Sequence, residues 1–379
     1  MLPIALKSFH IKNYRGIIDT QIDNIPPDTQ WIFLTGENGF GKTSVLQALA
    51  NKLNDNAWSN DEDRNFGIEL YTKYLEEFSK DLEDGILSFN MGYDKHRIET
   101  QFVAYGSTRL RVSGGSVLEV MNISHSTQSL FSNETLLINI EENFKDWKIN
   151  YPKGYSSLES IFKTLIPRLY KIEVEFDKQE KKSKVKYYET DEEGNIYQEG
   201  IEFLELAAGY KNIIATIGDM INRFTKNQDV KNFSDLEGIV LVDEIDLHLH
   251  PKYQKLFVQK LTELFPKIQF IVSTHSPIPL LGAPKNSVII NVSRTREEGI
   301  KAELLDIDFS VLTPNAILSS PIFGFQDLIP ESKSDDKMIR TEDTFQEVEF
   351  NDQLKKNINQ FLTKERQEEL LNLLKIKAL

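Results

Sequence analysis

The chain has 379 residues, of which 40% are hydrophobic and 27% are charged, a balance typical of folded globular proteins rather than disordered ones. It contains no cysteine, which excludes disulfides, zinc–thiolate sites and cysteine nucleophiles and is consistent with a cytoplasmic protein. Its formal net charge is −14, so the average field repels nucleic acid, and binding to DNA or RNA would need a local basic patch or a partner protein.

The sequence predicts no export signal and no membrane span, and its amino-terminal region predicts three strands and a helix. Residues 1–17 lack the apolar core and small-residue cleavage site of an export signal, and no apolar run reaches the ~20 residues of a membrane-spanning helix. We therefore expect a cytoplasmic protein that makes no membrane contact. Residues 4–22 alternate apolar and polar around a turn at 13–16, which indicates a β-hairpin or two short strands. A buried strand at Trp31–Leu34 leads into a glycine-rich stretch, and apolar residues at helical spacing predict a helix from Lys42.

The middle of the chain shows weaker periodicity. Phe102–Tyr105 predicts another buried strand, and residues 111–200 predict an insertion with a helix near 156–166 and antiparallel strands around 172–187. No heptad repeat is present, so a long coiled-coil arm is not expected. The insertion also carries the densest group of basic residues, for which a solvated hairpin is favoured over a nucleic-acid groove because acidic residues are interleaved with them. These basic residues are Lys178, Lys181, Lys182, Lys184 and Lys186.

The second half of the chain predicts helices and strands in alternation. An amphipathic helix at 213–224 is followed by a buried strand at Ile239–Val242, a helix at 253–264 and a second buried strand at Ile268–Val272. This alternation implies an α/β fold with a mostly parallel central sheet. Beyond it we expect a polar linker at 327–345 and a terminal helix at 350–378.

The strongest chemical signal lies between the strand at 31–34 and the helix that starts at Lys42. Residues 36–43, Gly-Glu-Asn-Gly-Phe-Gly-Lys-Thr, fit the phosphate-loop pattern in the strand–loop–helix context that the pattern requires. Glycines let backbone N–H groups curl around phosphate oxygens, and the helix N-terminus adds partial positive charge. Lys42 is expected on the β- and γ-phosphates and the Thr43 hydroxyl on Mg²⁺. The nucleotide-binding candidates are Gly36, Asn38, Gly39, Gly41, Lys42, Thr43 and Ser44.

Two further strand ends carry candidate catalytic residues. The strand at 239–242 ends in Asp243, a candidate Mg²⁺ ligand, and Glu244, which would polarise the attacking water. The strand at 268–272 is followed closely by His275. Because ligands bind at the carboxyl edge of parallel strands in open α/β sheets, His275 is expected beside the two carboxylates.

In this order, the three motifs resemble the ABC-type ATPases of the SMC, RecF and overcoming-lysogenization-defect group. They also resemble the stand-alone "AAA family" ATPases of bacterial anti-phage defence systems of the Septu, retron and PARIS kinds. Residues 13–16 (Asn-Tyr-Arg-Gly) are similar to the family's first strand, residues 105–109 (Tyr-Gly-Ser-Thr-Arg) to its central strand end, and residues 243–251 to its joined Walker B motif and D-loop.

The resemblance covers roughly residues 1–110 and 200–325 and implies a domain organisation. It implies an ABC-type P-loop ATPase head with an antiparallel β subdomain, formed by residues 1–110 and 201–326. A mixed helical and β insertion subdomain at 111–200 interrupts the head. A linker and a C-terminal helix at 327–379 follow it.

The resemblance also assigns the remaining site residues. In this family, a signature motif from a second subunit completes the nucleotide site, and the similar segment here is 206–210. Ala207 stands where the usual serine would touch the γ-phosphate, while Gly209 and the helix N-terminus would present backbone N–H groups. Arg15 is assigned to the nucleotide by the same resemblance. His248 and His250 fall in the D-loop, an interpretation favoured over a metal site.

Two further positions stay open at this stage. Gln101, just before the strand at 102–105, is a weak candidate for the family's glutamine loop. Arg109 is either a contact to phosphate or to a subunit interface, or an ordinary surface arginine.

The resemblance implies that the chain uses ATP and Mg²⁺ and forms a homodimer that closes around two nucleotides. Such dimers are in some cases built into larger assemblies. It further implies control of a separate effector protein such as a nuclease or toxin. No nuclease motif is evident in this sequence, since Asp335 and Asp336 lie in the polar linker. The alternatives are a RecF-like repair ATPase that binds duplex DNA directly and a binding-only scaffold, whereas the signature is unlike that of a transporter motor.

Overall fold

The computed structural model describes residues 1–53, 66–72, 101–109, 126–178 and 181–306, and the single positions 112, 317, 320, 323, 350, 353, 354 and 356. The chain divides into two units, Met1–Gly324 and Phe325–Leu379. The strands and helices given below all belong to the first unit. The linker predicted at 327–345, with Asp335 and Asp336, and nearly all of the helix predicted at 350–378 lie outside the described residues.

The described strands and helices alternate in the second half of the chain, as predicted. The strands are β1 (Ile4–Tyr14), β2 (Ile17–Ile22), β3 (Trp31–Thr35), β4 (Phe66–Thr72), β5 (Phe102–Tyr105), β6 (Leu169–Asp177), β7 (Lys182–Glu189), β8 (Gly238–Val242), β9 (Ile268–Ser273), β10 (Val288–Thr295) and β11 (Gly299–Leu305). The α-helices are α1 (Lys42–Leu53), α2 (Glu141–Asn150), α3 (Pro152–Leu165), α4 (Ala208–Asn227) and α5 (Pro251–Leu264). Of these helices, none combines the length and the apolar character needed to cross a bilayer.

One nine-stranded sheet forms the centre of the first unit, with the strand order β4-β1-β2-β11-β10-β3-β9-β8-β5. The strands from β10 to β5 run parallel to one another. Their carboxyl ends are in register, since Tyr105 lies opposite Val242, Val242 opposite Val272, and Val272 opposite Phe33. The segments that follow these strands therefore meet at one edge of the sheet, and the predicted α/β fold class is confirmed.

The parallel strands are buried on both faces, which explains their continuous apolar sequences. Every residue of β3, β8 and β9 is buried. On one face, alternate side chains such as Ile32 and Leu241 pack in a core that includes Val45 of α1. On the other face, side chains such as Val240 share a core with Ile213 of α4.

The antiparallel strands continue the same sheet. The β1–β2 hairpin is confirmed, with Tyr14 opposite Ile17 across the turn. Strand β11 pairs with both β2 and β10. The sequence pattern did not predict β4, β10 or β11, yet β10 and β11 place Val292 and Ile300 against the glycine-rich loop.

The described part of the insertion consists mainly of α2, α3 and a separate two-stranded sheet, β6–β7. Helix α3 begins earlier than predicted and ends before Pro167. Acidic residues of β6 lie opposite lysines of β7 across the hairpin. Lys184 lies 3.1 Å from Asp177, and Lys186 lies 3.2 Å from Glu202. These lysines neutralise neighbouring carboxylates, as in a solvated hairpin.

Candidate active site

The glycine-rich loop joins β3 to α1 at the carboxyl edge of the parallel strands. Gly36 has a φ of 133° and Gly41 a φ of 97°, conformations that favour glycine. A Cβ on Gly36 would overlap the carbonyl oxygen of Val292, and one on Gly41 would overlap the Ile300 side chain. The loop is therefore closed tightly against β10 and β11, with its outer side, including Asn38, exposed.

The Lys42 ammonium group lies inside this loop. Its Nζ donates to the carbonyl oxygens of Gly36 at 2.7 Å and of Glu37 at 3.0 Å. Burial lowers the pKa of Lys42 to about 8, although the nearby carboxylates of Asp243 and Glu244 oppose the shift. A cation held by loop carbonyls beside a helix N-terminus is matched to the phosphates of a nucleotide.

Asp243 is held by hydroxyl groups from two other elements. Its Oδ2 accepts from Thr43 Oγ1 at 2.8 Å, and its Oδ1 accepts from Ser273 Oγ at 2.5 Å. The carboxylate is buried, whereas Thr43 is exposed. Ser44, the next residue of α1, is half-buried. The role of Ser273 was not predicted from the sequence, although a serine at the end of an otherwise apolar buried strand was a signal for it.

Glu244 follows Asp243 in a sharp turn. It has a φ of 50°, which is uncommon for a residue with a side chain. Its backbone N–H donates to Ser273 Oγ at 2.7 Å. The turn carries the half-buried Glu244 side chain to the edge of the sheet, where a carboxylate can accept a proton from water.

Both interpretations of Arg109 from the sequence are wrong. Its side chain is neither at the surface nor free to contact a ligand. It is 2% exposed. Its guanidinium donates to the carbonyl oxygens of Asp243 and Glu244 and to Asn212 Oδ1 on α4. Burial lowers the pKa of Arg109 to about 10, with the neighbouring carboxylates opposing the shift, so the group stays charged at neutral pH.

His275 lies beside the loop lysine, at the edge where the sequence placed it. Its Nδ1 is 3.1 Å from Lys42 Nζ, and because an ammonium group can only donate, Nδ1 is the acceptor of this bond. Burial, followed by the positive charge of Lys42, lowers the pKa of His275 below its ordinary value. The partly exposed imidazole is therefore neutral at pH 7, and its Nε2–H is a donor.

The segment after Glu244 is fixed by a second polar cluster. Thr274 Oγ1 donates to Asp246 Oδ1 at 2.7 Å, and Ser276 Oγ donates to Gln254 Oε1 at 2.8 Å. His250 caps α5, with its Nδ1 accepting from the Lys252 N–H at 3.3 Å. The D-loop segment is thus tied to the strand end that carries His275.

The signature segment lies at the N-terminus of α4. Ala207 is the residue that precedes the helix and is exposed, with no side-chain cap. A Cβ on Gly209 would overlap the carbonyl oxygen of His248, so the first turn of α4 packs directly on the D-loop of the same chain. Ala207 and Ala208 at this helix end are exposed, and the first N–H groups of a helix have no partner within the helix itself.

Two remaining candidates have their described contacts outside this cluster. Gln101 precedes β5 and its carbonyl accepts from the Ile239 N–H at 2.9 Å, which places it at the amino ends of the parallel strands. The prediction that Gln101 serves as the glutamine loop is therefore wrong. Arg15, in the exposed β1–β2 turn, donates to Gln47 on α1 and lies 5.9 Å from the Phe131 ring centroid.

The sequence is similar to those of known proteins. The family model described as "AAA ATPase domain" matches residues 5–206, which is more than half of the chain. The chain belongs to this AAA ATPase domain family. A second model, described as "AAA domain, putative AbiEii toxin, Type IV TA system", matches residues 229–279 of this AAA ATPase chain.

Two curated relatives and one solved structure are similar to this chain. The Septu protein PtuA of Bacillus mycoides (strain KBAB4) is 30% identical over 352 residues, which are 86% of this chain and 46% of the relative. The Retron Vc95 probable ATPase of Vibrio cholerae serotype O1 biovar El Tor is 42% identical over 118 residues, 31% of this chain and 21% of that protein. The solved Smc head bound to the C-winged helix domain of ScpA covers 80% of this chain and 98% of its own, with a TM-score of 0.49 and 14% identity. The chain thus spans less than half the length of these two curated relatives.

Proposed function

We propose that the chain binds Mg-ATP at the carboxyl edge of β3, β8 and β9 and hydrolyses it slowly. The observation that carries this proposal is the meeting of Thr43 and Asp243. They lie 200 positions apart in sequence, yet their side chains are joined by a 2.8 Å hydrogen bond beside the buried ammonium group of Lys42. A hydroxyl and a carboxylate form the oxygen ligand set that Mg²⁺ prefers next to nucleotide phosphates.

Each residue of the cluster has a role in this proposal. The backbone of residues 36–41 and Ser44 hold the phosphates, and Lys42 turns from the loop carbonyls to the β- and γ-phosphates. Thr43 and Asp243 hold Mg²⁺, which supplies charge neutralisation on the phosphate oxygens when bound. Glu244 accepts a proton from the attacking water.

His275 donates from Nε2 to the γ-phosphate in this proposal. The neutral imidazole suits that role because its Nδ1 already accepts from Lys42. Arg15 lies in the turn next to α1 and is assigned to the outer part of the nucleotide.

A second copy of the chain completes the site. The exposed N-terminus of α4, at Ala207 to Gly209, offers backbone N–H groups to the γ-phosphate of the partner's nucleotide. Ala207 has no hydroxyl to add to this contact, so we expect a slow ATPase that acts as a switch, in dimers that can join larger assemblies.

The switch is proposed to control a separate effector, such as a nuclease or toxin, in a cytoplasmic anti-phage defence complex. Support comes from the similarity to a Septu protein and to a retron ATPase. Direct DNA binding is not favoured, because Lys184 and Lys186 are paired with carboxylates.

The test is ATP turnover and dimerisation of wild type, Glu244→Gln and Lys42→Ala, measured by phosphate release and light scattering. Glu244→Gln should lower turnover by about 100- to 10,000-fold and retain an ATP-dependent dimer, whereas Lys42→Ala should lose both. Glu263→Gln makes the same chemical change on the exposed side of α5 and should change neither. Turnover by Lys42→Ala at the wild-type rate would contradict the proposal.

A further inference from the structure

Arg109 connects two elements that would act on different nucleotides. Its guanidinium donates to the carbonyl oxygens of Asp243 and of Glu244, the latter at 2.9 Å, and its Nε donates to Asn212 Oδ1 at 3.0 Å. The first two acceptors lie in the turn that presents Glu244. The third lies in the second turn of α4, the helix whose N-terminus carries the signature segment.

Two other contacts join the same pair of elements. Asn212 Nδ2 donates to the carbonyl oxygen of Leu247 at 3.0 Å. The backbone of Gly209 lies so close to the His248 carbonyl that no Cβ would fit between them. Helix α4 is therefore attached to the segment 243–248 at three successive points, and Arg109 is the charged, fully buried one.

We propose that Arg109 is a positioning residue that holds the N-terminus of α4 and the Glu244 turn as one rigid body. This inference rests on the proposed function. Glu244 acts on the nucleotide of its own subunit, whereas the N-terminus of α4 acts on the nucleotide of the partner copy. A displacement of either element on nucleotide binding is thus transmitted through Arg109 to the other, which couples the two sites of the dimer.

Only an arginine fits this role. Its planar guanidinium directs several N–H groups at fixed angles and can satisfy three acceptors on two elements at once. A lysine would keep the charge but could not bridge both carbonyls and Asn212 in the same plane. The φ of 50° at Glu244 adds to the need for this bridge, because a strained backbone persists only where its surroundings hold it in place.

The test compares Arg109→Lys and Asn212→Ala with a matched control, Arg223→Lys. Arg223 is also a buried arginine, and its Nε donates to Asp219 at 2.7 Å on the same helix. Each purified variant is measured for its Kd for Mg-ATP, its kcat, its ATP-dependent dimerisation, and backbone hydrogen exchange of segments 207–213 and 243–249 without nucleotide.

Arg109→Lys is expected to lower kcat by about 100-fold, as a displacement near 1 Å does in positioned sites, while the Kd changes less than threefold. Exchange should become faster in both segments together. Asn212→Ala should show the same pattern with a smaller loss. Arg223→Lys should keep wild-type kcat per folded molecule and leave exchange in both segments unchanged.

Three outcomes separate this inference from the proposed function. If wild type hydrolyses ATP and Arg109→Lys keeps kcat within threefold, the positioning role is wrong and the proposed function stands. If Arg109→Lys and Arg223→Lys lose activity equally, in proportion to their unfolded fraction, Arg109 is structural and the inference is overturned. If wild type itself neither binds nor hydrolyses ATP, the proposed function fails, and the inference fails with it.

Discussion

The carboxyl edge of the parallel strands and the β6–β7 hairpin hold their charged groups in opposite ways. At the edge, Lys42, Asp243 and Arg109 are each at most 5% exposed, and each has at least one partner from a distant part of the chain. In the hairpin, Lys184 and Asp177 are 24% and 27% exposed at their side chains and lie on adjacent strands.

This difference in burial predicts which substitutions have large effects and which have small ones. Buried charges are costly unless every partner is in place, so the edge tolerates few changes and keeps one geometry. Exposed pairs contribute little to stability because water and salt compete with them. We therefore expect substitutions at the edge or at its supports to have large effects, and substitutions in the hairpin to have small ones.

The largest expected effect on stability lies at Asp219, a buried carboxylate on α4 that bonds to the end of β5 and to the start of the insertion. It accepts from Tyr105 at the end of β5 at 2.8 Å, from Arg223 at 2.7 Å and from the Ile138 N–H at 2.8 Å. Asp219→Ala removes the carboxylate that pairs with the buried Arg223 guanidinium and should lower the free energy of unfolding by about 3–5 kcal/mol, measured by denaturant titration.

The matched control for that change is Asp235→Ala. Asp235 is paired with Lys267 at 2.9 Å, with both side chains more than 40% exposed. Its loss should cost less than about 1 kcal/mol. Equal losses in the two variants would show that burial does not separate the two kinds of charge in this protein.

The sequence predicted the edge well because its signals are local. The glycine pattern before Lys42, and carboxylates directly after a run of apolar residues, specify a loop and a strand end from neighbouring residues alone. In-register parallel pairing then brings those strand ends together. The geometry that unites Thr43 with Asp243 follows from these two facts.

The parts that the sequence did not predict depend on distant contacts. Arg109 follows Gly-Ser-Thr, a polar stretch typical of the surface, and only the fold shows that α4 and the Glu244 turn cover it. Strand β10 begins with a short apolar run, and its pairing with β3 joins segments more than 250 positions apart. No pattern within β10 itself indicates that it pairs with β3.

The second prediction concerns pH, because the pKa of Lys42 and the pKa of Lys171 in the hairpin are shifted in opposite directions. Burial lowers the pKa of Lys42 to about 8, whereas a hydrogen bond with Glu173 raises the pKa of Lys171. Phosphates bound beside Lys42 would favour its charged form, so above about pH 8 ATP binding takes up a proton. The Kd for Mg-ATP should then rise by up to about tenfold per pH unit.

The measurement is a titration with ATP between pH 7 and 9.5 at constant free Mg²⁺. Lys171→Ala should show the same slope as wild type, because Lys171 lies in the hairpin. Lys42→Arg should bind more weakly but with a flatter profile, since a guanidinium keeps its proton in this range. A wild-type Kd that is constant up to pH 9.5 would mean that Lys42 keeps its proton without nucleotide.

The smallest effect is expected for the partly exposed pair formed by Lys186 of the hairpin and Glu202, which follows the hairpin in the chain and lies 3.2 Å from it. In a double-mutant cycle of Lys186→Ala and Glu202→Gln, the coupling free energy should be about 0.5 kcal/mol in low salt and smaller in 0.5 M salt. ATP turnover should not change in either variant. A coupling above about 2 kcal/mol would show that hairpin charges are held as rigidly as those of the edge. A tenfold loss of turnover would instead place the hairpin in contact with the nucleotide cycle, and the division between the two regions would then no longer hold.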